Sequence, residues 1–329
     1  MVILQNVNKD SMNSKIIGIL FIGLMIASCV PSEEIKVQRL NQIKSIDVFP
    51  DSSFFSDLRG MQSDGEYVYA LDVNRRNVVR LDQELSEIEE YGIGGRGPEE
   101  LTAPFSFLVN NGIVSIIDFM SMDLKHYDEK GYVNKEHLDF LPDDGRFGAT
   151  SRGFIISVRS EYNQFALFSP DSTQLAGETI KIGSLRKTLT MNSCHILTYG
   201  DKIIVLPIAL PYVFLYDKDA TPLNTIDLSM PQFYKDNLLY ITENSRQDDD
   251  KSYYILNIDA YMEGDDLYIL CPRYGNEYKS DRIIKVNLQT RKIDAVFALP
   301  HSNYRSLCVL DDKLYAFNTT RCSLDVIGL

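Results

Sequence analysis

Tryptophan is absent from the 329 residues, and histidine occurs only four times. No C-x-x-C pair is present, so neither a zinc ribbon nor a thioredoxin-type redox motif is indicated. Basic residues are outnumbered, 33 Lys and Arg against 46 Asp and Glu, which leaves a net charge of −13. Nucleic-acid binding needs clustered cations against phosphate and is not expected of such a chain. The long apolar run, Ile16–Ile26 (IIGILFIGLMI), has 11 residues. That is too short to cross a bilayer as a stable helix. No Pro/Gly/Ser-rich linker divides the remainder, so one domain is expected.

The short apolar run has the length of a signal-peptide core and follows a single Lys15. It ends Ile26-Ala27-Ser28-Cys29, which resembles the lipobox of bacterial lipoproteins: an aliphatic residue, two small ones, then the cysteine that receives lipid. A secretory signal with a chance cysteine, or a short membrane anchor, is the plainer alternative. Met12 is a plausible start. Residues 1–28 are expected to be removed, residues 29–42 to form a lipidated tether and residues 43–329 to fold. Acidic Glu33 and Glu34 behind the cysteine resemble a surface-export signal, with a solvated tether as the alternative. An outer-membrane lipoprotein facing either the periplasm or the cell surface is therefore expected. Four cysteines remain: Cys194, Cys271, Cys308 and Cys322. Cys308 and Cys322 fall in one repeat and are the expected pair, with buried free thiols the alternative.

What is abundant is short β-type sequence, helped by 19 Tyr and 16 Phe. A strongly apolar strand recurs as Tyr67–Leu71, Ile113–Ile117, Phe154–Val158, Ile203–Leu206, Leu267–Leu270 and Leu314–Phe317. Their starts are 46, 41, 49, 64 and 47 residues apart. Each follows a turn rich in Asp, Asn or Gly, as hairpins require. A second strand comes shortly after each: VVRLD, LKHYD, FALFS, VFLYD, IIKVN and SLDVI. A lone four-stranded sheet of this size cannot bury both faces, whereas six packed radially can. The spacing predicts an all-β, six-bladed β-propeller. The last copy holds three strands, so Ile43–Phe49 is expected to supply the fourth and close the ring. A β-sandwich with irregular spacing, or two smaller β domains, is the rival architecture.

The run Tyr91-Gly92-Ile93-Gly94-Gly95-Arg96-Gly97-Pro98-Glu99-Glu100-Leu101, with Pro104 beyond it, resembles the blade-to-blade loop of NHL-like propellers. More closely, with the lipobox and the VVRLDQELSEI pair, it resembles bacterial six-bladed β-propeller (TolB-like) lipoproteins. Glu99 stands where that family usually has glycine. The resemblance implies the fold and the compartment and leaves the activity open.

Residues 92–97 also fit G-x-G-x-x-G, but Pro98 and a strand-like segment follow where a dinucleotide site needs a helix. A turn is expected, and no cofactor. His126, His137, His195 and His301 show no ligand spacing, so no metal is expected. Asp118, Asp123, Glu161 and Glu263 could approach the central channel, and Asp248-Asp249-Asp250 reads as a solvated loop.

One distribution stands out. Segments expected on a single face of the ring hold Arg75, Arg76, Arg96, Arg146, Arg159, Arg186, Arg246, Arg273, Arg305 and Arg321, ten of 16 arginines. Tyr162, Tyr212 and Tyr274 share it. Arg gives bidentate contacts to carboxylates and Tyr gives rigid contact area. Loops favour polar residues anyway, and Glu99, Glu100 and Glu161 share the face. The expected ligand-binding set is Arg75, Arg76, Arg96, Arg159, Tyr162, Tyr212, Arg273 and Tyr274. Its partner would be a protein, a peptide or an anionic saccharide. The rival reading is a propeller enzyme, a lyase or metal-dependent lactone hydrolase, working at the channel. Ser229–Ser252 is an insertion expected as a loop, with Phe233, Tyr234 and Tyr240 as its anchors.

Overall fold

The computed structural model describes residues 35–49, 53–245 and 254–329. They form six sheets, each with an antiparallel blade, arranged as a six-bladed β-propeller. Two short strands come first, β1 (Val37–Arg39) and β2 (Gln42–Ile46). Blade 1 then holds β3 (Leu58–Ser63), β4 (Val68–Asp72), β5 (Asn77–Leu81) and β6 (Glu87–Tyr91). Blade 2 holds β7 (Pro104–Asn110), β8 (Ile113–Asp118), β9 (Asp123–Asp128) and β10 (Gly131–His137). Blade 3 holds β11 (Gly148–Thr150), β12 (Gly153–Ser157), β13 (Asn163–Ser169) and β14 (Ser172–Glu178). A one-sided helix, α1 (Leu185–Met191), leads to blade 4. That blade holds β15 (Cys194–Tyr199), β16 (Lys202–Pro207), β17 (Tyr212–Tyr216) and β18 (Pro222–Asp227). Helix α2 (Gln232–Ser245) precedes blade 5, which holds β19 (Asp259–Glu263), β20 (Asp266–Arg273), β21 (Lys279–Asn287) and β22 (Lys292–Ala298). Blade 6 holds β23 (Tyr304–Leu310), β24 (Lys313–Asn318) and β25 (Ser323–Gly328).

The repeated apolar strands are the second strands of their blades, and burial explains why they stand out. Val68–Asp72 is buried along its whole length, because blades stack face to face and cover both sides of the sheet. Outer strands such as Gly131–His137 are mostly exposed instead, with only Tyr132 and Glu136 half-buried. Five apolar clusters fill the gaps between neighbouring blades. The cluster between blades 3 and 4, for example, joins Ile155, Phe165 and Leu167 to Ile196, Ile203 and Val205. Each such side chain contributes about 1.5–3 kcal/mol on burial, so these interfaces set the ring's stability.

The two N-terminal strands attach to the last two blades. β2 pairs antiparallel with β25, placing Gln42 opposite Ile327 and Ile46 opposite Leu324. Part of the stretch expected as tether is also sheet, since β1 lies parallel to β22 and gives blade 5 a fifth strand. The pairing segment begins one residue before the expected Ile43 and ends at Ile46. Phe49 turns inward instead, edge-on to Phe55 with ring centroids 4.2 Å apart.

The expected Cys308–Cys322 pair does not form; Cys194, Cys271, Cys308 and Cys322 are free thiols. Cys308 lies within the innermost strand of blade 6 and is buried, whereas Cys322 sits exposed in the turn before β25. Burial pushes the Cys194 thiol up to about 12, so it behaves as an inert core residue. The insertion is not a loop throughout, because α2 occupies most of its described part. Tyr234 is fully buried and donates to Asn257 Oδ1 at 3.0 Å, and Tyr240 stacks on Tyr274 at 5.4 Å. These contacts pin the helix against blade 5. Asp248-Asp249-Asp250 lies outside the described residues.

Candidate functional site at the channel mouth

Loops between second and third strands, and loops between blades, emerge at one end of the ring. In blades 1 and 6 the first kind is built alike, and blade 2 shares part of the arrangement. Asp72 accepts the amides of Asn74 and Arg75 in its own turn and the amide of Ser56 in the preceding blade-to-blade loop. Asn318 Oδ1 likewise accepts from Thr320 and Arg321 while its Nδ2 holds the Ser302 carbonyl. Asp118 grips Thr102 and Ala103 and also receives Lys125 Nζ at 2.9 Å. Arg76, Met122 and Cys322 then take the same left-handed backbone, φ 61°, 56° and 48°. A short polar side chain at the strand end thus fixes two loops at once.

The glycine-rich loop is a self-contained turn. Leu101 N–H donates to Ile93 and Gly95 N–H to Leu101. The Glu100 carboxylate accepts Gly97 N–H at 2.7 Å, and a Cβ on Gly95 would lie 1.9 Å from that carboxylate. The chain's own anion therefore fills the space where a phosphate would have to sit.

At the ring axis on this face lies a cavity of about 930 Å³. Beneath it, behind His195, lies a buried polar junction. Arg146 is held in a bidentate pair by Asp259, with Nε–Oδ1 2.6 Å and Nη2–Oδ2 2.7 Å. The same guanidinium donates to the carbonyls of Met61 at 2.7 Å and Leu307 at 2.8 Å. Asp259 in turn accepts Leu307 N–H. Blades 1, 5 and 6 are tied to the blade 3 entry by one side chain. Burial opposes the Arg146 charge, and the adjacent Asp259 carboxylate sustains it, raising the guanidinium above its ordinary value. Gly145 makes this approach possible, since a Cβ there would lie 2.0 Å from the Cys194 carbonyl.

His195 lines the cavity and covers this junction. Its Nδ1 faces the Arg146 amide at 3.4 Å and its Nε2 the Ile258 carbonyl at 3.1 Å. The backbone partners put the proton on Nε2, and burial lowers its pKa, so the imidazole is neutral. Above it Asp143, nearly buried, accepts Ser193 Oγ at 2.5 Å.

The walls are basic. Arg59, Arg159, Arg186, Lys187 and Arg305 line the cavity against only Asp143 and Asp144. Arg59 meets Asp57 at 3.1 Å and Asp144 at 4.0 Å, and Arg305 meets Asp57 at 3.2 Å, so these two arginines are balanced and the cationic excess lies with Arg159 and Arg186. The side chains of Arg159 and Arg186 are exposed and meet no carboxylate among the described residues. Low-dielectric walls concentrate this field despite the acidic surroundings.

The arginine face expected from sequence is divided by the structure. Arg159, Arg186 and Arg305 reach the cavity. Arg146 lies beneath the cavity, behind His195, and does not line it, and Arg246 lies outside the described residues. Arg75 covers the Phe49 ring at 4.3 Å and pairs with Glu90. Arg76 packs along Gly94, and Arg96 stands exposed on the glycine-rich loop. Tyr162 is exposed, with Lys181 Nζ 5.3 Å from its ring centre. Tyr212 is half-buried against Phe214. Tyr274 Oη donates to the Ile255 carbonyl at 2.8 Å. Arg273 lines a second, smaller hollow.

The four carboxylates expected near the channel do not line the cavity. Asp118 and Asp123 have the structural bonds of their blade, Glu161 pairs with Lys181, and Glu263 ends the innermost strand of blade 5 at the opposite face. Among the described residues, no three His, Cys, Asp or Glu side chains come together as a metal site. Sequence reasoning missed Arg59, Asp143, Asp144, Lys187, His195 and Tyr278. One signal was available: Arg59 and Arg305 each take the second position of an innermost strand, which aligning those strands would have revealed.

No helix among the described residues is long and apolar enough to cross a membrane. No protein-family model matches the chain, and no curated protein matches it. Among solved structures it is similar to a member of the DUF4221 family from Bacteroides vulgatus, with a TM-score of 0.62 and 10% identity over 90% of this chain and 98% of that one. It is also similar to an exported protein from Bacteroides fragilis, with a TM-score of 0.57 and 14% identity over 88% of this chain and 94% of that one. At these identities the likeness is one of fold.

Proposed function

We propose that the protein is a lipid-anchored β-propeller of the bacterial outer membrane that binds an anionic ligand in the cavity at its channel mouth. The observation that carries this is the five basic side chains around one cavity in a chain of net charge −13. A volume near 930 Å³ suits a small molecule or a few residues or sugar rings. Carboxylate, sulfate or phosphate groups match guanidinium pairs. Support for the anchor is the Ile26-Ala27-Ser28-Cys29 box, and the exported Bacteroides neighbour accords with that compartment. The TolB-like lipoprotein resemblance points the same way. Arg75, Arg76, Arg96, Tyr162, Tyr212 and Tyr274 stand outside the cavity and would meet only a larger partner.

The test is calorimetric titration of anionic saccharides and acidic peptides against the parent and an Arg159→Ala/Arg186→Ala variant. A charged hydrogen bond contributes about 1.5–3 kcal/mol, so binding should weaken roughly tenfold or more. Added salt should weaken the parent as well. Equal affinity in both proteins would overturn the assignment.

A further inference from the structure

The second hollow, of about 410 Å³, opens beside the first. A wall one residue thick separates them. Asn303 and Thr319 face the larger cavity, while their neighbours Ser302, Asn318 and Thr320 face the smaller. The wall is rigidly made: Thr319 N–H and Oγ1 both donate to the Asn303 carbonyl, at 2.9 and 2.8 Å. Asn303 Nδ2 donates to Thr320 Oγ1 at 2.8 Å.

The smaller hollow is basic too. Arg273 forms a bidentate pair with Asp281, at 2.7 and 2.6 Å, but Arg282 claims the same carboxylate at 3.0 Å. One anion therefore serves two guanidinium groups. Arg321 is exposed, and its Nη1 reaches His301 and Gln42, neither of which carries negative charge. Two cationic basins thus lie side by side across a ridge of hydroxyl and amide groups.

We infer that the two hollows are adjacent subsites for one linear acidic glycan, which places one anionic sugar in each and crosses the ridge at Asn303 and Thr319. The inference rests on the anionic-ligand reading and specifies its class. Hydroxyl and amide side chains along the crossing match sugar hydroxyls. Tyr278, half-exposed in the wall of the larger cavity, offers a flat surface to a sugar ring. Two subsites on one chain make the second contact intramolecular, so affinity should rise with length without further contacts.

The experiment uses the full-length protein in detergent and four probe sets. These are glucuronic and galacturonic acid monosaccharides; di- to hexasaccharides of galacturonate, alginate and chondroitin sulfate; neutral oligosaccharides of equal length; and tetraglutamate. At least one acidic oligosaccharide should bind tenfold or more tightly than its monosaccharide, and the neutral set should not bind. Arg321→Ala, and the charge reversal Arg321→Glu, should remove that length advantage, read as the ratio of oligosaccharide to monosaccharide affinity. Arg186→Ala should weaken both. Arg321 is a surface residue, so equal melting temperatures will show that its variants fold. If Arg321 variants keep the full length advantage, the second subsite is wrong and the anionic cavity stands. If Arg186→Ala alters nothing, the cavity assignment fails and this inference with it. Tetraglutamate binding in preference to every acidic glycan would overturn the glycan class.

Discussion

Arg146→Ala should be the most damaging single change in the channel. The substitution removes the bidentate pair with Asp259 and the bonds to the Met61 and Leu307 carbonyls. It leaves Asp259 buried with the Leu307 amide. Removing one partner of a buried ion pair costs about 3–5 kcal/mol, because the other charge is stranded. That is a large share of the roughly 5–15 kcal/mol that holds a typical domain. At about 2–4 °C per kcal/mol the melting temperature should fall by roughly 6–20 °C. Urea titration and calorimetry would read both quantities. Arg146→Met combined with Asp259→Leu removes the stranded charge and should recover a substantial part of the loss. A single variant within about 1 kcal/mol of the parent would show that the junction does not hold the ring. A double variant as unstable as the single one would place the loss in packing rather than in charge.

Other outcomes can be read with equal directness. Deleting residues 35–46 removes β1 and β2 and bares the edges of β22 and β25, so the urea midpoint should fall by an amount equivalent to several kcal/mol; an unchanged midpoint would contradict the role given to these strands. Burial lowers the pKa of both His195 and His126, so the unfolded chain takes up protons first. Stability should therefore be fully present above the unfolded value of about 6.5 and decline as pH falls through and below it. Denaturation at pH 7.5 and 5.5 would measure this, and a His126→Gln/His195→Gln variant should lose that part of the slope. Cys29→Ser should abolish metabolic labelling by a fatty-acid analogue, and persistent labelling would remove the lipid anchor.

The six second strands were legible because burial on both faces leaves a predominantly apolar run, as in Val68–Leu71 and Ile113–Ile117. The innermost strand of blade 3, Gly148–Thr150, was not, since three residues are too few for a pattern. Helix α2 did leave a signal that went unread: Tyr234, Leu238 and Ile241 recur at i, i+4 and i+7, one helical face, and that face packs into the blade 4 and 5 core. The arginine-rich face was legible as composition alone, which could not separate Arg159, lining the cavity, from Arg75, spent on Phe49 and Glu90.

By itself the sequence determined the six-bladed ring, because strand alternation and turn chemistry are properties of neighbouring residues. Only the tertiary structure decided the site. Arg146 meets partners 85, 113 and 161 residues away, and the cavity draws its walls from segments between Arg59 and Thr319. Closing the ring brings these loop residues to one axis. Which of them point inward is set by packing between blades, a relation that no local spacing contains.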